Sequence, residues 1–256
     1  EDTRRRLDLR TLDVRNDFAA MSMAIVLLEP GDLRRIGAPP LPIITIGRAQ
    51  TFAVVGPGTG LGVGALLYRD GRYEALATEG GHIGFAPGTE EEIEVLRALL
   101  ARYRRVSIER LVSGLGLHNF YVALCDIAGT VPDELSPETI TERAARKTDD
   151  VCMRAVELVA ELLGAIAGDF VLTYGAWNGV YLAGGLTPAL LPWLETGRFR
   201  ARFEDKGRFA EAMSCVPTAA ILHPDPGLLG AAMIAALAHG APNSYIRQAI
   251  IDRSTG

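Results

Sequence analysis

Five polar side chains and one run of glycines are the parts of this sequence that could do chemistry. The run is FAVVGPGTGLGVG at 52–64, with glycine at 56, 58, 60, 62 and 64. Glycines that dense let the main chain approach a ligand closely, or turn where a Cβ would clash. Two familiar phosphate loops are excluded by spelling. A Walker loop needs G-x-x-x-x-G-K-[ST], but Leu61 stands five residues after Gly56. A dinucleotide fingerprint needs glycines at i, i+2 and i+5, and from 56, 58 or 60 the third position is Leu61, Val63 or Ala65. Both loops also lead into a helix, and here the next segment reads as a strand. That leaves a glycine turn between two strands. Its N–H groups either converge into an anion-binding nest, with the Thr59 hydroxyl at the tip, or close a tight hairpin that holds no ligand.

The polar side chains are Asn16, Asp17, Glu79, His82 and Glu109. EGGHIGFAP (79–87) sets a carboxylate, two glycines and an imidazole together. A carboxylate accepts hydrogen bonds from neighbouring hydroxyls and a histidine donates or accepts, so the group suits a polyol or sugar. The competing reading is a turn glutamate and a core histidine. Asn16-Asp17 is either a helix N-cap or a general base presented at a strand-to-helix junction. Glu109, in SIER, is either a first-turn acid favoured by the helix dipole or another hydroxyl acceptor. AGG at 183–185 is a plain turn or a turn against a flat ligand.

These residues need elements to hold them. LDLRTLDV (7–14) alternates as a half-buried strand does, and FAAMSMAIVLL after Asn16-Asp17 reads as an apolar helix. Residues 29–50 read as a connecting loop, and 51–56 as a strand. Asp70-Gly71 is a hairpin turn between two apolar runs. Thr89 with Glu92 predicts a capping box ahead of the helix EEEIEVLRALLARY. Ser107 opens a short helix, and further helices are predicted over 137–147 and 150–172. GVYLAGGL (179–186) is a strand and glycine turn. FRARFEDKGRF (199–209) reads as a charged surface stretch. A strand, a proline-marked turn and a buried helix follow, and the tail APNSYIRQAIIDRSTG as a short surface helix. Strands alternating with helices indicate an α/β protein.

Bulk properties narrow the class. The 256 residues are 48% hydrophobic and 22% charged, with net charge −5. A chain of this size hides roughly three quarters of its unfolded surface. The acidic balance offers no broad positive field for nucleic acid. Three scattered cysteines (Cys125, Cys152, Cys215) and four scattered histidines argue against a disulfide framework or structural zinc, and for a reducing compartment. No signal peptide is visible, and the apolar run 227–240 is too short to span a bilayer. A cytoplasmic protein without a membrane partner is expected.

In this order, NDFAAMSMA, GPGTGLGVG, EGGHIGFAP, SIERLVSGLGL, YLAGGL, RFRARFEDKGRF and HPDPGLLGAA resemble the bacterial ATP-dependent glucokinase family, from about residue 13 to about 239. The resemblance implies an actin-like (ribonuclease H-like) two-lobe hexokinase-type fold, with 29–225 as the larger lobe and 1–28 with 226–256 in the smaller. It implies transfer of the γ-phosphoryl of Mg-ATP to the glucose 6-hydroxyl, with Asp17 as the base. Asn16, Glu79, His82 and Glu109 would hold the other hydroxyls. Gly58, Thr59 and Gly60 would lie against ATP phosphates, and Gly184 and Gly185 near the adenosine. Magnesium would enter with ATP, with no protein metal site, and the family's common dimeric state implies a homodimer. Two departures stand out. Leu115 replaces a usual proline. The family's opening D-x-G-G-T phosphate turn does not occur, so the smaller lobe is expected to be incomplete. The alternative function is therefore a truncated, catalytically impaired sugar-binding remnant. Third is the related ROK group, whose cysteine-rich zinc motif is missing between 83 and 124.

Overall fold

The computed structural model describes residues 2–45 and 47–239. The glycine run and the apolar residues beside it form the middle of the sheet. β2 (Gln50–Pro57) and β3 (Leu61–Arg69) pair antiparallel, with Val55 opposite Val63 and Gly56 opposite Gly62. β4 (Arg72–Thr78) follows through Asp70-Gly71, whose φ angles of 50° and 78° are those a two-residue hairpin turn requires. On the other side β5 (Val180–Leu182) runs parallel to β2, and β6 (Thr218–Ile221) parallel to β5. β1 (Leu33–Ile36) closes that edge antiparallel to β6, giving the order β1-β6-β5-β2-β3-β4.

β2 is buried along its whole length, which is why it reads as a continuous apolar run and not as an alternation. Ala53 and Val55 belong to the larger core cluster. There the 25-residue α6 (Asp150–Tyr174) packs with α4 (Gly114–Ile127), α5 (Pro137–Arg146) and α8 (Arg198–Glu204), and α3 (Glu90–Leu100) packs on α4. Phe52 and Val54 belong to a second cluster with Met23 and Met233, from α2 (Asp17–Ala24) and α10 (Pro226–Ala238). Short helices α1 (Asp2–Arg6), α7 (Thr187–Leu194) and α9 (Ala210–Ser214) complete the set.

Several expectations need correction. Residues 7–14 form no strand; Leu7 and Val14 are 62% and 82% exposed. Alternation supplies an apolar edge, but a strand also needs a neighbour for its N–H and C=O groups, and none of the six strands lies beside it. The loop over 29–50 contains β1, because Leu33–Ile36 finds a partner in β6. The charged stretch 199–209 is not a surface one at its start. Phe199 and Phe203, four apart on α8, are fully buried, and Arg200 between them donates to the Val216 carbonyl at 2.9 Å. The capping box is half made. Thr89 accepts from the Glu92 N–H at 3.2 Å, but the Glu92 carboxylate accepts from Gly88 N–H and Arg202 instead. α10, expected to be buried, buries only Gly230 and Met233, because its packing partner is α2 and Leu228 faces away. α4, unassigned from the sequence, is N-capped by Ser113, which accepts from Gly116 N–H at 2.9 Å. The helix expected in the tail lies outside the described residues.

Candidate active site

The glycine run does two separate jobs. Gly56, Gly62 and Gly64 form a seat for α2. A Cβ at Gly62 would stand 1.7 Å from Phe18 Cε2, and one at Gly56 would stand 2.5 Å from Phe18 Cζ. At Gly64 the Ser22 hydroxyl would be met at 2.8 Å. Only bare backbone lets the Phe18 ring lie flat on the sheet, and that ring fixes the first turn of α2. Asn16 caps this turn, its Oδ1 accepting from Ala19 N–H at 3.1 Å, which leaves its NH2 free to donate. Asp17 Oδ1 accepts from Phe18 N–H at 2.9 Å.

Gly58, Thr59 and Gly60 make the turn itself. Gly58 N–H is taken by the Gly60 carbonyl at 2.8 Å, so its part is conformational. Among the described residues the N–H groups of Thr59 and Gly60 have no protein partner. Leu61 N–H donates to Glu109 Oε2 at 3.0 Å, which ties the turn to the Glu109 carboxylate. The second glycine turn abuts the first. Gly184, with φ of 84°, sits so close to Pro57 that a Cβ would meet its carbonyl oxygen at 2.3 Å, and Gly185 N is 3.8 Å from where a Gly58 Cβ would be. This turn holds because Leu186 N–H donates to the Pro57 carbonyl at 3.0 Å and Thr187 hydroxyl to the Ala183 carbonyl.

The remaining acids converge from a different part of the chain. Segment 83–85 is bonded to 106–108, with Phe85 N–H to the Val106 carbonyl and Ile108 N–H to the Ile83 carbonyl, each at 3.0 Å. That pairing brings His82 between two carboxylates, with Nε2 3.8 Å from Glu79 Oε2 and Nδ1 3.7 Å from Glu109 Oε1.

Asn16, Asp17, Gly58, Thr59, Gly60, Glu79, Glu109 and Gly184 together line one cavity of about 390 Å³. His82 does not line it. It lines a neighbouring cavity of about 320 Å³ that shares Thr59 and Glu109. Gly185 lines a third, of about 430 Å³, which shares Gly58 and Thr59. Sequence reasoning missed Phe18 and Thr78, both on the first cavity. Phe18 was readable only as part of an apolar helix. Thr78, which accepts from Gly80 N–H at 3.2 Å and donates to the Val63 carbonyl at 2.9 Å, carries no signal beyond its place before Glu79. The first cavity offers three carboxylates and no cationic side chain. That lining suits a neutral polyhydroxy compound, and the unpartnered main-chain N–H groups of Thr59 and Gly60, which also line it, suit an anion.

The glucokinase family model matches residues 1–238. A glucokinase of Stenotrophomonas maltophilia (strain K279a) is 51% identical over 221 residues, covering 86% of this chain and 66% of that protein. The chain thus spans about two thirds of the length of the curated relatives it matches. The crystal structure of a glucokinase from an Antarctic psychrotroph superposes with a TM-score of 0.82 at 30% identity, covering 91% of this chain and 71% of that one. A ROK family glucokinase from Streptomyces griseus, solved with glucose and AMPPNP, superposes at 0.58 with 20% identity over 90% of this chain and 70% of its own. At that identity the likeness speaks for the fold alone, which is the actin-like ATPase fold of the sugar kinases.

Proposed function

The chain belongs to the glucokinase family, and from that premise we propose that it transfers the γ-phosphoryl group of Mg-ATP to the 6-hydroxyl of glucose. The observation that carries the reading is the shared cavity. An aspartate at the start of α2, a turn with unused N–H groups and two further carboxylates line the same 390 Å³.

Phosphoryl transfer asks the protein mainly for position and charge stabilisation. In this reading Asp17 takes the hydroxyl proton, for which a base must lie within about 3 Å of it. The Asn16 NH2, Glu79, His82 and Glu109 hold the remaining hydroxyls. Thr59 and Gly60 N–H groups, the Thr59 hydroxyl and the Gly184-Gly185 turn meet the nucleotide. Magnesium belongs to the substrate complex, where it neutralises phosphate charge. In this reading the metal is held chiefly by the phosphates.

A second reading, a sugar-binding chain that phosphorylates slowly, is favoured by the cavity lining, which brings no cation to the phosphates. A coupled ATP–glucose assay separates the two. Turnover of about 1–100 per second supports the kinase. A rate a hundredfold or more lower, with glucose binding retained, supports the second, because losing one charge-stabilising donor costs roughly that much. No glucose binding at all overturns both.

A further inference from the structure

The 320 Å³ cavity that His82 lines also holds groups the proposed reaction does not use. Its walls are Arg105, Ser107 and Arg110, with Thr59, Glu109 and Ser113. Among the described residues Arg105 has no ion pair or side-chain hydrogen bond, whereas Arg154, Arg200 and Arg202 are each paired with glutamates. Arg110 also lacks a carboxylate partner. Its guanidinium lies 4.0 Å over the Tyr103 ring, an arrangement that steadies the plane and leaves its edge donors free. Ser107 is 7% exposed, and its hydroxyl neither caps the turn it opens nor bonds elsewhere among the described residues. The backbone beneath is fixed by the bridge between Gly84 and Ser107 and its flanking hydrogen bonds.

Two guanidinium groups, exposed Arg105 and half-buried Arg110, line this space against a single carboxylate, Glu109, so the charge balance of its walls is positive and draws an anion. The arrangement is also the reverse of the neighbouring cavity, where three carboxylates converge. We infer that Arg105, Ser107 and Arg110 form a binding site for a phosphoryl dianion, in the cavity that His82 and Glu109 line and Asp17 does not. Planar forks with in-plane donors suit phosphate oxygens. The phosphoryl group comes either as free inorganic phosphate or as the phosphate of a hexose phosphate whose ring occupies the sugar cavity. Only the second source rests on the sugar-kinase reading.

The test is a calorimetric titration of the full chain at fixed ionic strength, without nucleotide, using inorganic phosphate, glucose 1-phosphate and glucose as separate probes. Saturable phosphate binding, weakened roughly tenfold or more in R105A and less in R105K, is the expected result. Glucose 1-phosphate binding tighter than phosphate and competing with glucose identifies the hexose phosphate as the source. Equal affinities, unchanged by glucose, identify free phosphate. Absence of saturable phosphate binding, or equal affinity in wild type, R105A and R110A, overturns the site, the latter placing the anion on the Gly58–Gly60 turn. Circular dichroism verifies that each variant is folded. Wild-type glucose binding in the same experiment judges the sugar reading independently.

Discussion

At the residue scale the central element is Asp17, which the sequence motifs set beside Asn16, Glu79, His82 and Glu109 and which lines one cavity with Asn16, Glu79 and Glu109. NDF reads equally well as a cap, and the structure does not divide the two: Asn16 caps α2, and both Asn16 and Asp17 line the cavity. Asp17→Asn is expected to lower kcat by about 10²–10⁴ while glucose affinity, measured by calorimetry, stays within a few-fold. Undiminished turnover would remove the base from the mechanism. Glu109 read from the sequence as either a first-turn acid or a hydroxyl acceptor. That it also holds Leu61 N–H, across 48 positions of sequence, depends on the pairing of 83–85 with 106–108, which no local pattern encodes.

At the element scale α3, α5 and α6 were readable from cap and periodicity together, whereas α4 was not, although Ser113 caps it. α6 announced itself by length and periodicity. Asp149 caps it, accepting from Val151 and Cys152 N–H at 3.0 Å each. Burial works against the Asp149 carboxylate, but bonds from Cys152, Arg143 and Val151 outweigh it and hold its pKa below the ordinary value. A depressed carboxylate contributes stability that is full above the unfolded pKa of about 3.9 and is lost as pH falls through the lower folded value. Asp149→Ala is therefore expected to cost about 1 kcal/mol near neutral pH. The difference between wild type and variant in urea unfolding should shrink below about pH 4. A pH-independent difference would contradict the linkage. α8 escaped notice because its charges mask a two-residue apolar stripe, and α10 misled because an apolar composition does not say what covers it.

The contact between α2 and α10 turns on one atom. A Cβ at Gly230 would lie 1.7 Å from the Ala20 carbonyl oxygen. Gly230→Ala must push the helices apart, and overpacking of this kind costs about 1–3 kcal/mol, or roughly 2–4 °C in Tm per kcal/mol for a domain of this size. Because α2 carries Asp17, activity should fall with Tm. A fall in Tm alone would mean that the acid's position is independent of α10.

On the scale of the whole molecule, the helical layer over the larger core is tied together by a buried ion pair. Glu92 on α3, 1% exposed, accepts from Arg202 on α8 at 2.8 and 3.1 Å. Removing one partner of such a pair leaves the other charge stranded, at about 3–5 kcal/mol. Glu92→Ala is expected to show that loss in denaturant unfolding, and the Glu92→Leu/Arg202→Met double variant to recover most of it. A loss below about 1 kcal/mol would show the pair to be solvated in practice. Fold class was legible because β2, α3 and α6 carry strong local patterns. The sheet order was not, since β1, β5 and β6 are three or four residues long and no local pattern says which strand each will pair with.

The glycine run has a last consequence. The seat of α2 and the turn with unpartnered N–H groups are cut from one short strip of backbone, with Phe18 resting on Gly56 and Gly62 and the turn at 58–60 between them. A ligand that tugs on the turn therefore tugs on the helix bearing the carboxylate. For two reactants to sense each other here, no message has to cross the protein.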